Sequence, residues 1–245
     1  MLDALLQGAR YPLRGLGWLT RPGLRRYVLV PLAVNALLFG GATWWGAGQL
    51  QGLIQWLDAR LPDWLAWLSW LLWPLFLVAV LLVGFYTFTL VANLLAAPFN
   101  GLLAEKVEDM LTPDHGRPDS RPLWQEIVIA PAAELRKLGY FLARALPLLL
   151  LFLIPGVNAA APFVWLAFSA WLLALQYLDY PLGNHHIAFP EQRRLLRQRR
   201  LLAVGFGAGC LLLTLVPVLN FLAMPASVIG ATLLWREQLA NSGMQ

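Results

Sequence analysis

Residues 93–108, with the sequence NLLAAPFNGLLAEKVE, close an apolar run that begins near residue 64. At about 1.5 Å per residue, a continuous helix over residues 64–104 is about 60 Å long, roughly twice the 30 Å hydrocarbon core of a bilayer. The quoted stretch contains two asparagines, a proline and paired carboxylates. We therefore expect a transmembrane helix over residues 64–92 whose inner end projects into water.

The composition of the chain is that of an integral membrane protein. Of its 245 residues, 59% are hydrophobic and 13% are charged, whereas soluble domains carry about 25% charged residues. A second apolar run, over residues 27–50, has the length of one membrane crossing. It lacks the small-residue cleavage site of a signal peptide, so it is predicted to stay as an anchor. The single cysteine, Cys210, excludes an intrachain disulfide and is expected to pack in the core.

Two later apolar segments are each interrupted by proline, so that two short arms follow one another directly. Each first arm gives only about 15–25 Å of helix, which is short for a membrane crossing. Such arms predict two re-entrant hairpins, whose non-helical tips must be buried in protein or line a water-filled cavity. Six conventional crossings with short outer turns are the alternative. The arms are residues 145–158, stopped by Pro155-Gly156, with the return arm 159–178, and residues 201–220, stopped by Pro217, with the return arm 221–235.

The two interruptions resemble each other in sequence. LIPGVN at residues 153–158, followed by Pro162, parallels LVPVLN at residues 215–220, followed by Pro225. Interrupted apolar segments at corresponding positions of two repeats point to a transport pathway. The alternative is a turn motif in which each asparagine caps the following helix.

The charge distribution predicts the orientation of the chain in the membrane. The loop over residues 51–63 holds one arginine, whereas residues 105–144 and 185–200 are rich in lysine and arginine. Because positively charged loops stay on the cytoplasmic side, both termini and the large connections are expected to be cytoplasmic.

The predicted fold class is an all-α integral membrane protein with two long transmembrane helices, two re-entrant (hemi-penetrating) helical hairpins and a small cytoplasmic helical head. All of these parts belong to a single membrane domain, residues 1–245. The parts are transmembrane helices over about 27–50 and 64–92, a cytoplasmic extension and head over about 93–137, hairpins over 138–178 and 201–235, and a basic juxtamembrane segment over 184–200.

The sharpest local chemistry lies just before the first membrane helix, in TRPGLRR at residues 20–26. A Pro-Gly break precedes the helix, whose first N–H groups and positive dipole end favour an anion. Arginine adds fork-shaped, permanently charged donors that suit tetrahedral oxyanions. Gly23, Leu24, Arg25 and Arg26 are therefore candidate anion-binding residues. The alternative is that the two arginines only anchor the helix at the lipid headgroups.

Further polar side chains lie in or near the apolar segments. Asn35, Asn93 and Asn100 can exchange hydrogen bonds with a hydrated ion, or they can brace neighbouring helices. Glu105 and Glu108 are three residues apart, so a helix places both carboxylates on one face. There they either form ion pairs with the basic segments or form a gate that repels anions until the carboxylates are paired. All five are candidate pathway residues.

Neither catalysis nor a cofactor is predicted. Asp179, His185, His186 and Glu191 are the only cluster of metal-ligand residue types, and they lack an HExxH or CxxC spacing. A phosphate-binding glycine motif is absent from the sequence as well, which disfavours ATP hydrolysis. We expect no metal, no nucleic-acid partner and no enzymatic activity, and we expect contacts with membrane lipids.

Three further runs, together with GLRR at residues 23–26, resemble the bacterial CysZ sulfate transporter family. They are residues 93–108, QYLDYP at residues 176–181 and NFLAMPASVIGAT at residues 220–232. The resemblance covers nearly the whole chain, and the combination of AAPFNG with NFLAMP is its most specific part.

The resemblance implies an inner-membrane permease that brings sulfate into the cytoplasm for assimilation and cysteine biosynthesis, assembled as a homo-oligomer. It also implies that sulfate binds at Gly23, Leu24, Arg25 and Arg26, which makes anion binding the favoured interpretation of that segment. The alternative from a different functional class is a non-transporting membrane assembly or scaffold protein.

Overall fold

The regular structure of the chain is helical throughout the residues that its computed structural model describes, which are 1–58, 69–112 and 123–240. The predicted all-α class is confirmed. A 3₁₀ turn, Leu151–Leu153, follows α4, and a π-helical turn, Trp235–Leu239, follows α8. The helices are α1 Leu2–Trp18, α2 Arg25–Asp58, α3 Ser69–Leu111, α4 Leu123–Leu150, α5 Ala161–Asn184, α6 Phe189–Gln198, α7 Arg200–Leu215 and α8 Pro217–Leu234.

The chain divides into two compact units. The first contains residues 1–25 and 100–245, and the second contains residues 26–99. The second unit therefore holds nearly all of α2 and the first part of α3. Many of its described side chains are apolar and exposed, and Trp44 is 84% exposed. Large exposed apolar surfaces of this kind mark contacts with lipid or with other protein.

The two predicted transmembrane segments lie in α2 and α3. α2 has 34 residues, a length of about 51 Å, and α3 has 43 residues, a length of about 65 Å. α3 continues without interruption past residue 92, so the predicted extension beyond the membrane segment begins within the same helix. Residues 59–68, where the second segment was predicted to start, lie outside the described residues.

The first unit is built around α1, a helix that the sequence analysis did not predict. α1 packs against α7 and α8, and α5 packs against the same two helices. A Cβ on Gly205 would lie 2.1 Å from the Leu5 carbonyl oxygen, and one on Gly15 would lie 2.0 Å from the Ala226 carbonyl oxygen. Such close backbone approach through small residues is typical of helix contacts in membranes. The core contains Leu175, Leu178, Phe206, Ile229, Leu233 and Cys210, whose predicted burial is confirmed.

Two helical segments of the first unit are long and apolar enough to cross a membrane, Ala161–Asn184 and Pro217–Leu239. They have 24 and 23 residues, or about 36 and 35 Å. Both exceed the return arms predicted from the sequence, because α5 continues past residue 178 and α8 already begins at Pro217. α7, with 16 residues, is about 24 Å long and agrees with the predicted short arm.

The two predicted interruptions are helix breaks, but they differ in structure. Pro155 and Gly156 lie in a turn of several residues, and Gly156 has a φ of +83°, which favours glycine. The second break is a single extended residue, Val216, and Pro217 is the first residue of α8. The first arm thus stops directly before Pro217, and the prediction that the return arm begins at residue 221 is wrong. A proline has no N–H to satisfy, so it fits the first turn of a helix.

The asparagines after the two breaks do not cap the following helices. The N-caps are Ala160 and Val216, whose apolar side chains accept no hydrogen bond. Asn158 lies in the turn before α5, and Asn220 lies inside α8. The alternative in which these asparagines act as caps is wrong, because each helix starts at a position other than the one the shared motif suggested.

Each break carries an exposed apolar tip. Leu153 and Phe163 flank the first break and are 76% and 75% exposed, and Leu215 and Phe221 flank the second and are 74% and 75% exposed. Tips of this size mark surfaces that contact membrane or protein rather than water.

Candidate anion site

Residues 20–24 form a tight turn between α1 and α2, and Arg25 and Arg26 are the first two residues of α2. The backbone N–H of Arg21 donates to the Trp18 carbonyl at 2.9 Å, and that of Leu24 donates to the Arg21 carbonyl at 3.3 Å. Gly23 has a φ of +91°, which glycine adopts at little cost. A Cβ on Gly23 would meet no described heavy atom within 4 Å. Because Leu24 is fully buried, it anchors a turn whose glycine is open to an approaching ion.

The arginines that follow this turn are exposed, and the guanidinium group of each donates to a neutral oxygen. Arg25 donates from Nε and Nη2 to the Thr20 carbonyl oxygen at 3.0 and 2.9 Å. Arg26 donates from Nη2 to the Tyr27 hydroxyl at 3.1 Å. These contacts restrict the positions of both guanidinium groups, which reduces the entropy lost when a ligand binds.

A third arginine belongs to the same turn, although it was not among the candidate site residues. The Arg21 guanidinium carbon lies 3.5 Å from the centre of the Trp18 ring, in a cation–π contact. The first N–H groups of α2 have no acceptor within the helix. Permanent positive charge beside such a helix start favours a multiply charged oxyanion.

The four predicted anion-binding residues are consecutive in the sequence and are divided between the two units. Gly23, Leu24 and Arg25 close the first stretch of the first unit, and Arg26 opens the second unit. We call Gly23, Leu24, Arg25 and Arg26 the 23–26 turn.

A second group of candidate residues lies at the end of α3. Glu108 is 3% exposed, and its Oε1 lies 2.8 Å from His185 Nε2 and 3.4 Å from Arg236 Nη1. Arg236 Nη2 also donates to Thr112 Oγ1 at 2.7 Å. We call these four residues the Glu108 cluster. The predicted ion pair of Glu108 is present, but its arginine partner lies outside the two basic segments.

Asn100 is also buried near the end of α3. Its Nδ2 donates to the Tyr180 hydroxyl at 3.2 Å, and Asn184 Nδ2 donates to the Gly101 carbonyl oxygen at 3.0 Å. Both bonds tie α3 to α5. This contact agrees with the bracing role that the sequence left open for Asn100.

The predicted pathway residues are divided between the two units. Asn100, Glu105 and Glu108 follow one another along the last turns of α3 in the first unit, where Glu105 is half-buried. Asn35 and Asn93 belong to the second unit, and their side chains lie outside the described residues. A continuous pathway along all five stays a prediction.

The residues of metal-ligand type take part in separate contacts. Among the described residues, no group of three or more His, Cys, Asp or Glu side chains is placed to hold a metal ion. Their contacts include His185 with Glu108, Asp179 with Lys137 and with Gln192, and Glu191 with Arg194.

α1 carries a polar contact that the sequence analysis missed. Arg14 Nη1 and Nη2 donate to Glu237 Oε2 and Oε1 at 2.8 and 2.6 Å, and the Tyr11 hydroxyl donates to Oε2 at 3.0 Å. Burial raises the pKa of Tyr11, and the hydrogen bond to Glu237 raises it further, so Tyr11 keeps the proton that it donates. The three-residue spacing of Tyr11 and Arg14 was the available sequence signal, since it places both on one helix face.

Residues 11–225 match the family model described as Sulfate transporter CysZ/Etoposide-induced protein 2.4. The chain belongs to this family. The matched range includes the 23–26 turn and Glu108, and it ends before Arg236 and Glu237. The family is one of transporters, and together with the two long apolar helices this makes the chain a membrane protein.

The chain is similar over nearly its full length to several proteins named Sulfate transporter CysZ. It is 46% identical over 243 residues to that of Pseudomonas fluorescens, covering 97% of this chain and 96% of the relative. It is 45% identical over 242 residues to that of Pectobacterium atrosepticum, covering 98% and 88%. It is 44% identical over 239 residues to that of Pseudomonas paraeruginosa, covering 95% and 96%.

Proposed function

We propose that the protein is a sulfate permease of the bacterial inner membrane that brings sulfate into the cytoplasm for assimilation and cysteine biosynthesis. The observation that carries this proposal is the similarity of the whole chain to relatives named sulfate transporters, at 46% identity for one of them. The protein acts by binding and passing the anion, and not as an enzyme.

Sulfate first binds at the 23–26 turn in this proposal. A dianion leaving water needs strong donors, and hydrogen bonds from charged groups are roughly twice as strong as neutral ones. Arg25 and Arg26 supply such donors from an exposed position. The open space at Gly23 lets the anion approach the backbone closely. These features support binding here over simple anchoring to lipid headgroups.

The pathway continues past Asn35, Asn93, Asn100 and Glu105 to the Glu108 cluster, which forms its gate. A lone buried carboxylate would repel sulfate strongly in a medium of low dielectric constant. The ion pair with Arg236 compensates that charge in the resting state. Sulfate can therefore approach while the pair is intact, and an unpaired Glu108 repels the anion and closes the gate.

In the membrane, α2 and α3 form the two crossings, and the α4–α5 and α7–α8 pairs enter as hairpins from the cytoplasmic side. The exposed apolar tips at Leu153 and Phe221 support insertion of both hairpins. Both termini and the head around residues 105–137 are cytoplasmic, and the protein works as a homo-oligomer.

Cysteine labelling separates this topology from six conventional crossings. An Asn158→Cys variant in a Cys210→Ala background places one thiol at the exposed tip of the first hairpin. A membrane-impermeant maleimide added outside spheroplasts should leave this cysteine unlabelled. Labelling equal to that of a periplasmic control cysteine would contradict the hairpin.

Transport itself is tested with purified protein in proteoliposomes. Uptake of labelled sulfate should exceed that of empty vesicles, and repeating the measurement with and without a proton gradient decides whether flux is coupled to protons. If no flux above empty vesicles is found across a range of gradients, the permease proposal fails. The exposed apolar tips would then favour a membrane assembly or scaffold role.

A further inference from the structure

A cleft of about 400 Å³ lies in the first unit, between the start of α1 and the junction of α6 with α7. Pockets that bind small molecules span about 300–1,000 Å³, so the cleft can hold more than a bare ion. No residue of the 23–26 turn or of the Glu108 cluster lines it. Its polar lining is Gln7, Gln198, Arg199 and Arg200.

The lining of the cleft favours an anionic ligand. Two guanidinium groups, from Arg199 and Arg200, stand beside two side-chain amides, and among the described lining residues there is no carboxylate. Arg199 Nη1 also donates to the neutral amide oxygen of Gln238 at 3.3 Å, which helps to position its guanidinium. Arginine forks bind phosphate oxygens with two parallel bonds, which an amide or an ammonium cannot reproduce.

The start of α7 adds backbone donors at the same place. Arg199 is the N-cap of α7, and the first N–H to bond back to its carbonyl is that of Ala203, at 3.1 Å. The N–H groups of Arg200, Leu201 and Leu202 precede it and have no acceptor within the helix. The positive end of the α7 dipole favours an anion here, whereas the C-terminal end of α6, which has the same Arg199 as its C-cap, opposes it, so the two arginines supply the main attraction.

Close helix packing beside the cleft keeps its walls in place. A Cβ on Gly8 would lie 2.1 Å from the Leu202 carbonyl oxygen, and a Cβ on Gly205 would lie 2.1 Å from the Leu5 carbonyl oxygen. The backbones of α1 and α7 are thus in direct contact next to the residues that line the cleft. A site that is formed before binding loses little entropy on ordering.

The position of the cleft along the chain indicates the source of the anion. α6, with the sequence FPEQRRLLRQ, is strongly basic, whereas α7 is apolar from residue 201 onward. Arg199 and Arg200 lie where the basic helix α6 gives way to the apolar helix α7. Lipid headgroups lie at this level beside an apolar membrane helix. We propose that this cleft binds the phosphate group of an anionic lipid headgroup. Free inorganic phosphate is the other source of the same chemistry.

Native mass spectrometry of the purified full-length protein tests the proposal. Wild-type protein in detergent should retain phosphatidylglycerol in preference to phosphatidylcholine. In the double variant Arg199→Gln with Arg200→Gln, phosphatidylglycerol adducts should fall by at least about tenfold. The matched control, Arg194→Gln with Arg197→Gln, removes the same charge from α6 away from the cleft and should keep them. Equal adducts in both variants, whether lost or retained, overturn the proposal.

A titration with inorganic phosphate separates the two sources. If inorganic phosphate binds with the same dependence on Arg199 and Arg200 while phosphatidylglycerol shows no preference, the lipid assignment is overturned in favour of a free anion. Gel filtration checks the fold of each variant, and Arg200→Gln alone serves if the double variant does not fold. Sulfate uptake at the 23–26 turn is a separate measurement, so failure here leaves the proposed transport function standing.

Discussion

The 23–26 turn and the Glu108 cluster both contain arginine, but the groups that surround the arginine differ. In the turn, Arg25 and Arg26 are exposed and donate to neutral oxygens. In the cluster, Arg236 lies against the buried carboxylate of Glu108. An arginine charge that no described carboxylate compensates is available to a ligand, whereas a compensated one holds helices together. The comparison therefore supports the proposal that the turn binds the ligand, whereas the cluster braces the resting state.

Removing the Glu108 carboxylate should have the largest effect of the changes considered, and this effect should be on the free energy of unfolding. Glu108→Ala leaves Arg236 beside a buried site without its anionic partner, and the free energy of unfolding should fall by about 3 kcal/mol. Thermal unfolding of the purified protein in detergent measures the change. Arg25→Ala is the control, since loss of an exposed side chain should change stability by less than about 0.5 kcal/mol. An unchanged free energy of unfolding in Glu108→Ala would show that Glu108 does not brace the helices.

The next largest effect should appear in sulfate binding. Arg25→Ala combined with Arg26→Ala removes both charged forks from the turn, so affinity should fall about 30-fold, or about 2 kcal/mol. Isothermal titration in detergent measures it, and gel filtration should show an unchanged oligomer. Arg194→Ala with Arg197→Ala removes the same net charge from α6 as a control. Equal sulfate affinity in both double variants would mean that Arg25 and Arg26 only anchor the helix at the lipid headgroups.

The backbone of the turn should contribute less than its arginines. Gly23→Ala forces a side chain into a positive φ, a strain of about 1–2 kcal/mol, and should weaken sulfate binding about fivefold. Gly17→Ala is a matched control, because that glycine also has open space around its Cβ position but no positive φ. If the two alanine variants bind sulfate equally, the conformation of Gly23 does not shape the site.

The smallest effect should come from replacing the fork while keeping the charge. Arg25→Lys retains the positive charge but loses the planar pair of donors, so we expect sulfate affinity to fall about threefold. The same titration detects this change. An affinity as low as that of the double alanine variant would mean that fork geometry, and not charge, dominates the site.

Local patterns in the sequence predicted much of the fold. The long apolar runs predicted the helices now seen as α2 and α3, and the Pro-Gly pair at 155–156 predicted a helix break. The return arm after Pro217 was predicted to begin four residues too late, because a proline can occupy the first turn of a helix as well as follow the end of one. α1 was missed because polar and apolar residues are mixed along its sequence. Its packing also depends on close glycine contacts with α7 and α8, which lie far along the chain.

The candidate site was predictable only where its residues are adjacent in the chain. The 23–26 turn could be identified from one short run, since its chemistry depends on consecutive residues. The partners of Glu108 could not be identified in this way, because His185 lies 77 positions further along the chain and Arg236 lies beyond the last basic segment. Contacts between residues far apart in the sequence depend on how the helices pack, which a short sequence pattern does not predict.

Initial rates of labelled-sulfate uptake into proteoliposomes test the central claim most directly. Wild-type protein and the Arg25→Ala, Arg26→Ala double variant are compared at equal reconstituted amounts, together with empty vesicles. Transport through the 23–26 turn predicts uptake above empty vesicles for the wild type and a rate at least about tenfold lower for the variant. Wild-type uptake no faster than that of empty vesicles, or equal rates for wild type and variant, would contradict the account.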